Sequence, residues 1–320
     1  MTKSVRFILI TQGVSRVTLP LIKSNHQICG IIESAPRNYR NKSNGVLFKV
    51  LSSIYRLFNR SETLENLARK NHIPYFFMTS NSDSLEEWIR SINPDLIVVQ
   101  GMSQLLKSSI FSLPKLGTIN LHTSLLPKYR GPNPDFWHYY NMDREHGVTI
   151  HYIDKGEDTG DILCQETIEL PLGIRSPQRL DILIGDIGLN LLFKSMEEIS
   201  DGSKKGLRQS TESSTPRARN ISTSEHANII DWDSWQGIRI WHLLRGTELW
   251  LNALPKPKGI YFGHRWKIAE FIPLESKRNK VGHIYKDGER YYVQTLDGRI
   301  YLNLEFKLRK LIIGLLLHGQ

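Results

Sequence analysis

Short apolar runs alternate with amphipathic segments along the first hundred residues of the chain. The apolar runs predict buried strands, at Val5–Ile10, Ile28–Ile32, Ile73–Phe77 and Asp95–Val99. Helical patterns lie between them, at Val17–Ile22, 61–72 and Ser84–Ile92, and the second has Ser61 in the N-cap position, early acids and late bases. Strands that alternate with helices predict an α/β fold with an open, mostly parallel sheet.

The pattern changes in the second half of the chain. Apolar residues recur at helical spacing over 176–199, and a polar stretch rich in Ser, Thr, Lys and Arg follows at 201–220. Five tryptophans then occur between 232 and 266, before short alternating runs that are separated by Asp-Gly pairs at 287–288 and 297–298. We therefore expect a first domain over 1–200, a linker over 201–222 and a smaller β-rich domain over 223–320.

Composition narrows the class of protein without naming a partner. Apolar residues make up 40% of the 320 residues, which excludes wholesale disorder. Two cysteines, Cys29 and Cys164, are too few for a disulfide framework or a cysteine-based metal site. No apolar run approaches the ~20 residues that span a bilayer, and the first residues are typical of a strand, not of a signal peptide. We expect a soluble, cytoplasmic protein.

The net charge of +10 permits an anionic partner, although a solvated basic surface explains it equally well. Part of this charge lies in the segment from Pro36 to Arg60, which has six Lys or Arg residues and no acid. Val46, Leu47, Val50, Leu51 and Ile54 stand there at helical spacing. This segment predicts either a basic amphipathic helix that contacts RNA, a phosphorylated ligand or a membrane surface, or a solvated insertion.

Candidate chemistry is concentrated between Gly117 and Gln165. The alternation of a strand over Thr118–His122 places Asn120 and His122 on one face, where polar groups are costly to bury unless they are used. About 38 residues further on, a glycine-containing loop carries Asp154, Glu157, Asp158 and Asp161. One of these carboxylates can lie beside the imidazole, fix its tautomer and favour its charged form.

The order of these motifs resembles that of the N10-formyltetrahydrofolate-dependent formyltransferases. This family includes methionyl-tRNA, glycinamide ribonucleotide and amino-sugar N-formyltransferases. The matching elements are Asn120-x-His122, Ser124–Pro127, Arg130-Gly131, Gly147–Thr149 and Asp158–Gly160, and the resemblance covers about residues 5–200. It implies a Rossmann-like formyltransferase fold, which is followed by a smaller C-terminal domain that is β-rich and OB-like.

The resemblance implies a catalytic trio of Asn120, His122 and Asp158. An amine attacks the formyl carbon of the co-substrate N10-formyltetrahydrofolate, and Asn120 and a charged His122 would donate hydrogen bonds to the resulting oxyanion. Asp158 would favour the charged imidazole and help to move the proton from the amine to the leaving nitrogen. The transfer is direct and needs no nucleophilic side chain, and no metal ion is expected.

Binding residues are also implied by the resemblance. The folate pocket would be lined by Ser103, Gln104, Leu105 and Leu106, with Ile153 to Glu157 on the opposite wall. The acceptor side would carry Ser124, which is better interpreted as stabilising its loop, together with Lys128, Arg130 and Trp137. Plain core packing or surface exposure remains an alternative for these residues. The sequence does not indicate an oligomeric state.

The acceptor amine stays open between several classes. Ile230-Asp231-Trp232 after the linker resembles the start of the C-terminal domain of methionyl-tRNA formyltransferases, which favours tRNA. Two features depart from that enzyme: Thr11-Gln12-Gly13 replaces its Gly-Thr-Pro turn, and the segment 36–60 lacks its Gly-Arg-Gly-Lys pattern. The candidates are a small-molecule amine such as a nucleotide-linked amino sugar, initiator methionyl-tRNA, or a non-catalytic binding role on this scaffold.

Overall fold

The computed structural model describes residues 4–36, 62–274, 279–307 and 310–311. The amphipathic helix predicted in the basic segment, the predicted N-cap at Ser61 and the chain beyond residue 311 lie outside these residues. The chain forms two compact units. Of the described residues, those within 1–131, 147–167 and 180–217 form the first unit, and those within 132–146, 168–179 and 218–320 form the second.

In the described part of the chain, the larger sheet has seven strands in the order β3-β2-β1-β4-β5-β6-β7. Strands β1 to β5 run parallel, and β6 runs antiparallel to β5. This confirms the predicted mostly parallel α/β sheet. The strands are β1 Arg6–Thr11, β2 Gln27–Ser34, β3 Tyr75–Met78, β4 Leu96–Gln100, β5 Thr118–His122, β6 Glu145–Tyr152 and β7 Ile162–Glu169.

The predicted helices between the strands are present. The N-cap of the second helix is Thr63, whose hydroxyl accepts a hydrogen bond from the N–H of Asn66. The sequence predicted that this helix starts at Ser61. Ser82 caps the third helix in the same way. The helices of this part of the chain are α1 Thr18–Ile22, α2 Leu64–Lys70, α3 Asp83–Ile92 and α4 Ser108–Phe111.

The strand order creates a switch point between β1 and β4. The chain extends the sheet from β1 to one side through β2 and β3, then returns to place β4 on the other side of β1. Ligands of open α/β sheets bind outside the carboxyl ends of strands at such a point. The loops that leave β1 and β4 there turn at Gly13, with a φ of +72°, and at Gly101, with a φ of +71°.

The helical region predicted over 176–199 contains an irregularity that the spacing did not reveal. It comprises α6 Ser176–Leu180, a π-helix over Asp181–Gly188, and α7 Leu189–Ser200. A Cβ atom at Gly188 would lie 2.7 Å from the carbonyl oxygen of Leu183 and 2.9 Å from Cδ1 of Leu121. The π-helix therefore approaches β5 closely at this glycine.

The second unit contains α5 Pro134–Asn141, α8 Gly237–Thr247 and an antiparallel sheet in the order β8-β11-β10-β9. This confirms the predicted β-rich C-terminal part, and Gly288, with a φ of +59°, supplies the predicted turn after Asp287. The five tryptophans between 232 and 266 pack against the hydrophobic core of this unit. The strands are β8 Lys267–Pro273, β9 Ile284–Asp287, β10 Arg290–Gln294 and β11 Gly298–Asn303.

The limits of the compact units differ from the division predicted at 200 and 223. Segment 132–146 belongs to the second unit because Phe136 and Tyr139 of α5 are buried in its core. Arg179, which is fully buried, ties segment 168–179 to the same unit by donating to Oδ1 of Asp135 over 2.6 Å. Residues 201–217 belong to the first unit. Among the described residues, no helix is long and apolar enough to cross a membrane.

We predict that Gly188→Ala lowers the free energy of unfolding by about 1–3 kcal/mol, because the added methyl group overpacks the contact with Leu121. The matched control is Gly185→Ala in the same π-helix, where a Cβ would have no heavy atom within 4 Å. The control should keep or slightly raise stability, by up to about 1 kcal/mol. Urea denaturation of the three proteins makes the comparison, and equal stability of both variants would contradict the close packing.

Candidate active site

Two polar side chains point the same way from the carboxyl end of β5. Asn120 and His122 are separated by one residue, so the pleat places them on one face. Their antiparallel partners on β6 are His151 opposite Asn120 and Thr149 opposite His122. Four side chains from two neighbouring strands therefore lie together at the carboxyl end of β5.

The structure brings Asp158 to this position. Its Oδ2 lies 3.7 Å from Nδ1 of His122, and its Oδ1 lies 3.5 Å from Nδ2 of Asn120. The N–H of Gly131 donates to Oδ2 over 2.8 Å and so anchors the carboxylate. Asp158 itself has a φ of +54°, in the left-handed region that few non-glycine residues adopt. The three residues that the resemblance predicted as a trio thus converge.

The tautomer of His122 follows from its second contact. Its Nε2 lies 3.1 Å from the carbonyl oxygen of Tyr129, which can only accept a hydrogen bond. Nε2 therefore carries a proton, and Nδ1 is the nitrogen that faces Asp158. Only 7% of the His122 side chain is exposed, so its ring is held between these two partners.

His151 is a member of the site that the sequence analysis did not select. Its Nδ1 lies 2.8 Å from the carbonyl oxygen of Tyr152, so that Nδ1 carries the proton and Nε2 accepts. Nδ2 of Asn120 donates to this Nε2 over 3.1 Å. Burial lowers the pKa of His151 to about 4, although the nearby Asp158 opposes the shift. The neutral ring therefore fixes which way the amide of Asn120 points.

A signal for His151 is present in the sequence. Thr149 and His151 alternate along a predicted strand just as Asn120 and His122 do, and two polar residues at this spacing indicate a second polar strand face. What the sequence lacks is the register, since only the pairing of β5 with β6 places His151 opposite Asn120.

The loop from Ser124 to Arg130 is held by buried hydroxyl groups. Ser124 Oγ donates to the carbonyl oxygen of Lys128 over 2.8 Å. Thr149 Oγ1 donates to the carbonyl oxygen of Ser124 over 2.6 Å and accepts from the N–H of Leu126 over 3.1 Å. Ser124 is fully buried, which agrees with its interpretation as a loop-stabilising residue. The side chain of Lys128 is half-buried.

Trp137, predicted on the acceptor side, lies on α5 in the second unit. Its Nε1 donates to the carbonyl oxygen of Arg219 over 2.9 Å, and its ring meets those of Phe136 and Tyr140 edge to face at centroid distances of 5.2 and 5.3 Å. These contacts place Trp137 against the aromatic core of that unit, which is the packing alternative that the sequence left open.

The predicted folate residues after β4 occupy the loop at the switch point. The hydroxyl of Ser103 donates to the carbonyl oxygen of Ala35 over 2.5 Å, and Nε2 of Gln104 donates to that of Thr79 over 2.9 Å. Leu106 is buried, whereas 60% of Leu105 is exposed. The two polar side chains stabilise the loop, and the side chain of Leu105 is exposed on it.

The predicted opposite wall has two kinds of residue. Ile153 is half-buried and packs against the core of the sheet, and its N–H donates to the carbonyl oxygen of Thr118 over 2.7 Å. Glu157 forms a bidentate ion pair with Arg217. Among the residues that the structure describes, no group of three His, Cys, Asp or Glu side chains is arranged to hold a metal ion.

Comparison with known proteins identifies the family. The sequence model of the formyl transferase family matches residues 56–174, which include Asn120, His122 and Asp158. Methionyl-tRNA formyltransferase of Alkaliphilus oremlandii is 30% identical over 302 residues, which cover 93% of this chain and 90% of that protein. The chain belongs to the formyltransferase family. The counterpart in Clostridioides difficile is 28% identical over 98% of this chain and 96% of its own.

Solved structures share the fold of this formyltransferase at lower identity. The N-formyltransferase of Helicobacter canadensis, solved with folinic acid and dTDP-3-aminofucose, has a TM-score of 0.58 at 18% identity, covering 95% of this chain and 100% of its own. The sugar 3N-formyltransferase WlaRD gives a TM-score of 0.59 at 18% identity, with 94% and 97% covered. The predicted family and fold class are therefore confirmed, whereas the predicted site residues stay predictions.

We predict that the formyltransferase loses stability as the pH falls from about 6.5 to about 4, partly because His151 takes up a proton only when unfolded. The folded pKa is depressed, so this contribution is complete above 6.5 and absent below 4, and it amounts to about 3 kcal/mol. His151→Gln keeps a donor and an acceptor but does not titrate, so its stability should fall less steeply. Parallel pH profiles from urea denaturation would contradict the buried neutral state.

Proposed function

We propose that Asn120, His122 and Asp158 transfer the formyl group from N10 of 10-formyltetrahydrofolate to a primary amine. The observation that carries this proposal is their convergence, with Asp158 within 3.7 Å of His122 and 3.5 Å of Asn120 at the carboxyl end of β5. A carboxylate, an imidazole and an amide that meet at a strand end can bind an oxyanion and move a proton, which are the two tasks of acyl transfer.

The reaction needs no covalent enzyme intermediate. The amine nitrogen forms a bond to the formyl carbon, the carbonyl oxygen becomes negative, and the bond from the carbon to N10 breaks. The amine loses a proton and N10 gains one, so N-formyl acceptor and tetrahydrofolate leave together. Asn120 and the imidazolium of His122 donate to the oxyanion, and Asp158 stabilises that imidazolium and accepts and returns the proton.

The contacts within the site support an assignment of particular atoms to these steps. Nε2 of His122 is occupied by the carbonyl oxygen of Tyr129, so Nδ1 is the nitrogen available to the reacting groups. One N–H of the Asn120 amide is occupied by His151, so the other, directed toward Asp158 over 3.5 Å, is available to the formyl oxygen. The exposed Leu105 at the neighbouring switch point offers an apolar surface to the pterin ring.

We predict that His122→Ala and Asn120→Ala each lower kcat by about 100-fold or more, because each removes a donor that acts at the transition state. Tetrahydrofolate release at saturating substrate, with circular dichroism to verify folding, measures the effect. His283→Ala, an exposed histidine of the second unit, is the matched control and should keep normal turnover. Near-normal kcat in folded His122→Ala would contradict the proposed roles.

Two classes of molecule are candidates for the acceptor of the formyl group, and different observations support each. Methionyl-tRNA is supported by relatives of that activity that align over 93% and 98% of this chain, and by the net charge of +10. A nucleotide-linked amino sugar is supported by the departures from the tRNA enzymes at Thr11-Gln12-Gly13 and in the segment 36–60. Both acceptors present a primary amine on a phosphate-bearing molecule.

An acceptor screen separates the two classes. Release of tetrahydrofolate from 10-formyltetrahydrofolate is followed with charged initiator tRNA and with a panel of nucleotide-linked amino sugars. A tRNA acceptor spreads many phosphates over the protein, so its KM should rise steeply with salt, whereas a sugar nucleotide with two phosphates should show a shallow dependence. Turnover with neither class, in a protein that binds folate, would favour the non-catalytic alternative.

We predict that turnover does not depend on a metal ion, because the proposed steps use only an amide, an imidazole and a carboxylate. Dialysis against a chelator should leave kcat unchanged, with the same assay in added Mg²⁺ or Zn²⁺ as the control. Activity that disappears on chelation and returns with one divalent ion would contradict this mechanism.

A further inference from the structure

A polar strap, residues 207–217, runs along the two loops that form the active site. The sequence predicted a linker here, yet the strap begins with a β-bridge between Leu207 and Ile162. The hydroxyl of Thr215 accepts from the N–H of Tyr129 over 2.7 Å, and Tyr129 is the residue whose carbonyl oxygen holds His122. The strap therefore contacts the loop that positions the imidazole.

Gln209 connects the strap to the other loop. In the fully described range 201–217 it is the one buried residue. Its Nε2 donates to the carbonyl oxygen of Asp158 over 3.1 Å and to that of Gly160 over 2.6 Å. A single side-chain amide thus satisfies two carbonyl groups of the turn that presents the carboxylate of Asp158.

Arg130 completes this connection with its guanidinium group. Its terminal nitrogens donate to Oε1 of Gln209 over 2.7 Å and to the carbonyl oxygens of Ser210 and Thr211 over 2.7 and 3.2 Å. Its Nε lies 3.2 Å from the carbonyl oxygen of Asp158. Most of the donors of a residue predicted to contact the acceptor are therefore engaged within the protein.

These bonds hold a residue whose backbone is in the left-handed region. Asp158 has a φ of +54°, and a non-glycine residue persists in this region only when its surroundings hold it. The carbonyl group of Asp158 has two donors, Gln209 and Arg130, while its carboxylate has the N–H of Gly131. The strap and the neighbouring loop hold both ends of the residue.

We infer that Gln209 is a positioning residue of this formyltransferase, which with Arg130 fixes the Asp158 turn and so sets the distance of the carboxylate from His122. This inference rests on the proposed function for its effect on turnover, but the positioning itself is independent of the reaction. A misplacement of about 1 Å can cost ~100-fold in rate, and partners of catalytic groups typically contribute ~10–100-fold.

The test compares Gln209→Ala and Gln209→Glu with the wild type. The carboxylate introduced by Gln209→Glu keeps the shape and the acceptor for Arg130 but cannot donate to the two carbonyl groups. Both variants should therefore lower kcat by ~10–100-fold with the KM for folate changed less than about two-fold. Ser213→Ala is the matched control, because among the described residues the hydroxyl of Ser213 bonds to Thr215 of the strap and to neither active-site loop. The control should keep normal turnover.

A double-mutant cycle separates positioning from general stabilisation. If Gln209 acts through Asp158, then Gln209→Ala should cost less than about two-fold in the Asp158→Asn background, measured by single turnover. Equal fold losses in both backgrounds would overturn the inference. Gln209→Glu serves in the same cycle if the alanine variant does not fold.

Hydrogen exchange gives a readout that does not require catalysis. The N–H of Gly131 is protected by Oδ2 of Asp158, so its exchange rate reports the position of the carboxylate. Exchange at Gly131 should rise about ten-fold or more in Gln209→Ala and stay unchanged in Ser213→Ala. Unchanged exchange in Gln209→Ala would overturn the inference, whereas faster exchange in a protein without formyl transfer would contradict only the proposed function.

Discussion

The carboxylate of Asp158 is the group on which the arrangement of the site depends. The backbone of Asp158 is in the left-handed region, its carboxylate faces side chains from β5, and Gly131 supplies the N–H that anchors it. A charged group with so little exposure is retained only when hydrogen bonds replace the water that it loses. The loop after β5 and the loop after β6 are therefore fixed relative to each other by the contacts of Gly131 and Arg130 with Asp158.

Each of the two histidine rings near Asp158 has one nitrogen bonded to a backbone carbonyl oxygen and the other directed at the site. Carbonyl oxygens of Tyr129 and Tyr152 accept from His122 and His151, which leaves Nδ1 of the first ring and Nε2 of the second directed at the site. A neutral His151 can accept from Asn120, whereas a charged one would compete with it as a donor. Burial keeps His151 neutral, and the neutral ring holds the amide of Asn120 in its orientation.

The parallel sheet decides where this chemistry can take place. Strands β1, β4 and β5 end at one edge, and the switch point between β1 and β4 lies beside the strand that carries Asn120 and His122. The loop after β4 exposes Leu105 at this edge, while Ser103 and Gln104 hold its backbone. Under the proposed function, the folate co-substrate binds beside this loop and the polar strand end.

The sequence by itself determined the elements of the sheet and the residue types of the site. Apolar runs predict strands because a buried parallel strand has no polar face, and Asn120-x-His122 predicts a polar strand end because β-structure repeats every two residues. Only the tertiary structure decided the partners. His151 joins the site through the register of β5 with β6. Trp137 packs against a core built from residues far along the chain. Gln209 lies in a segment whose composition is typical of a linker, yet its side chain bonds to the backbone of Asp158. The contacts of His151 with Asn120 and of Gln209 with Asp158 join residues 31 and 51 positions apart, and no local pattern encodes which polar residues will meet over such separations.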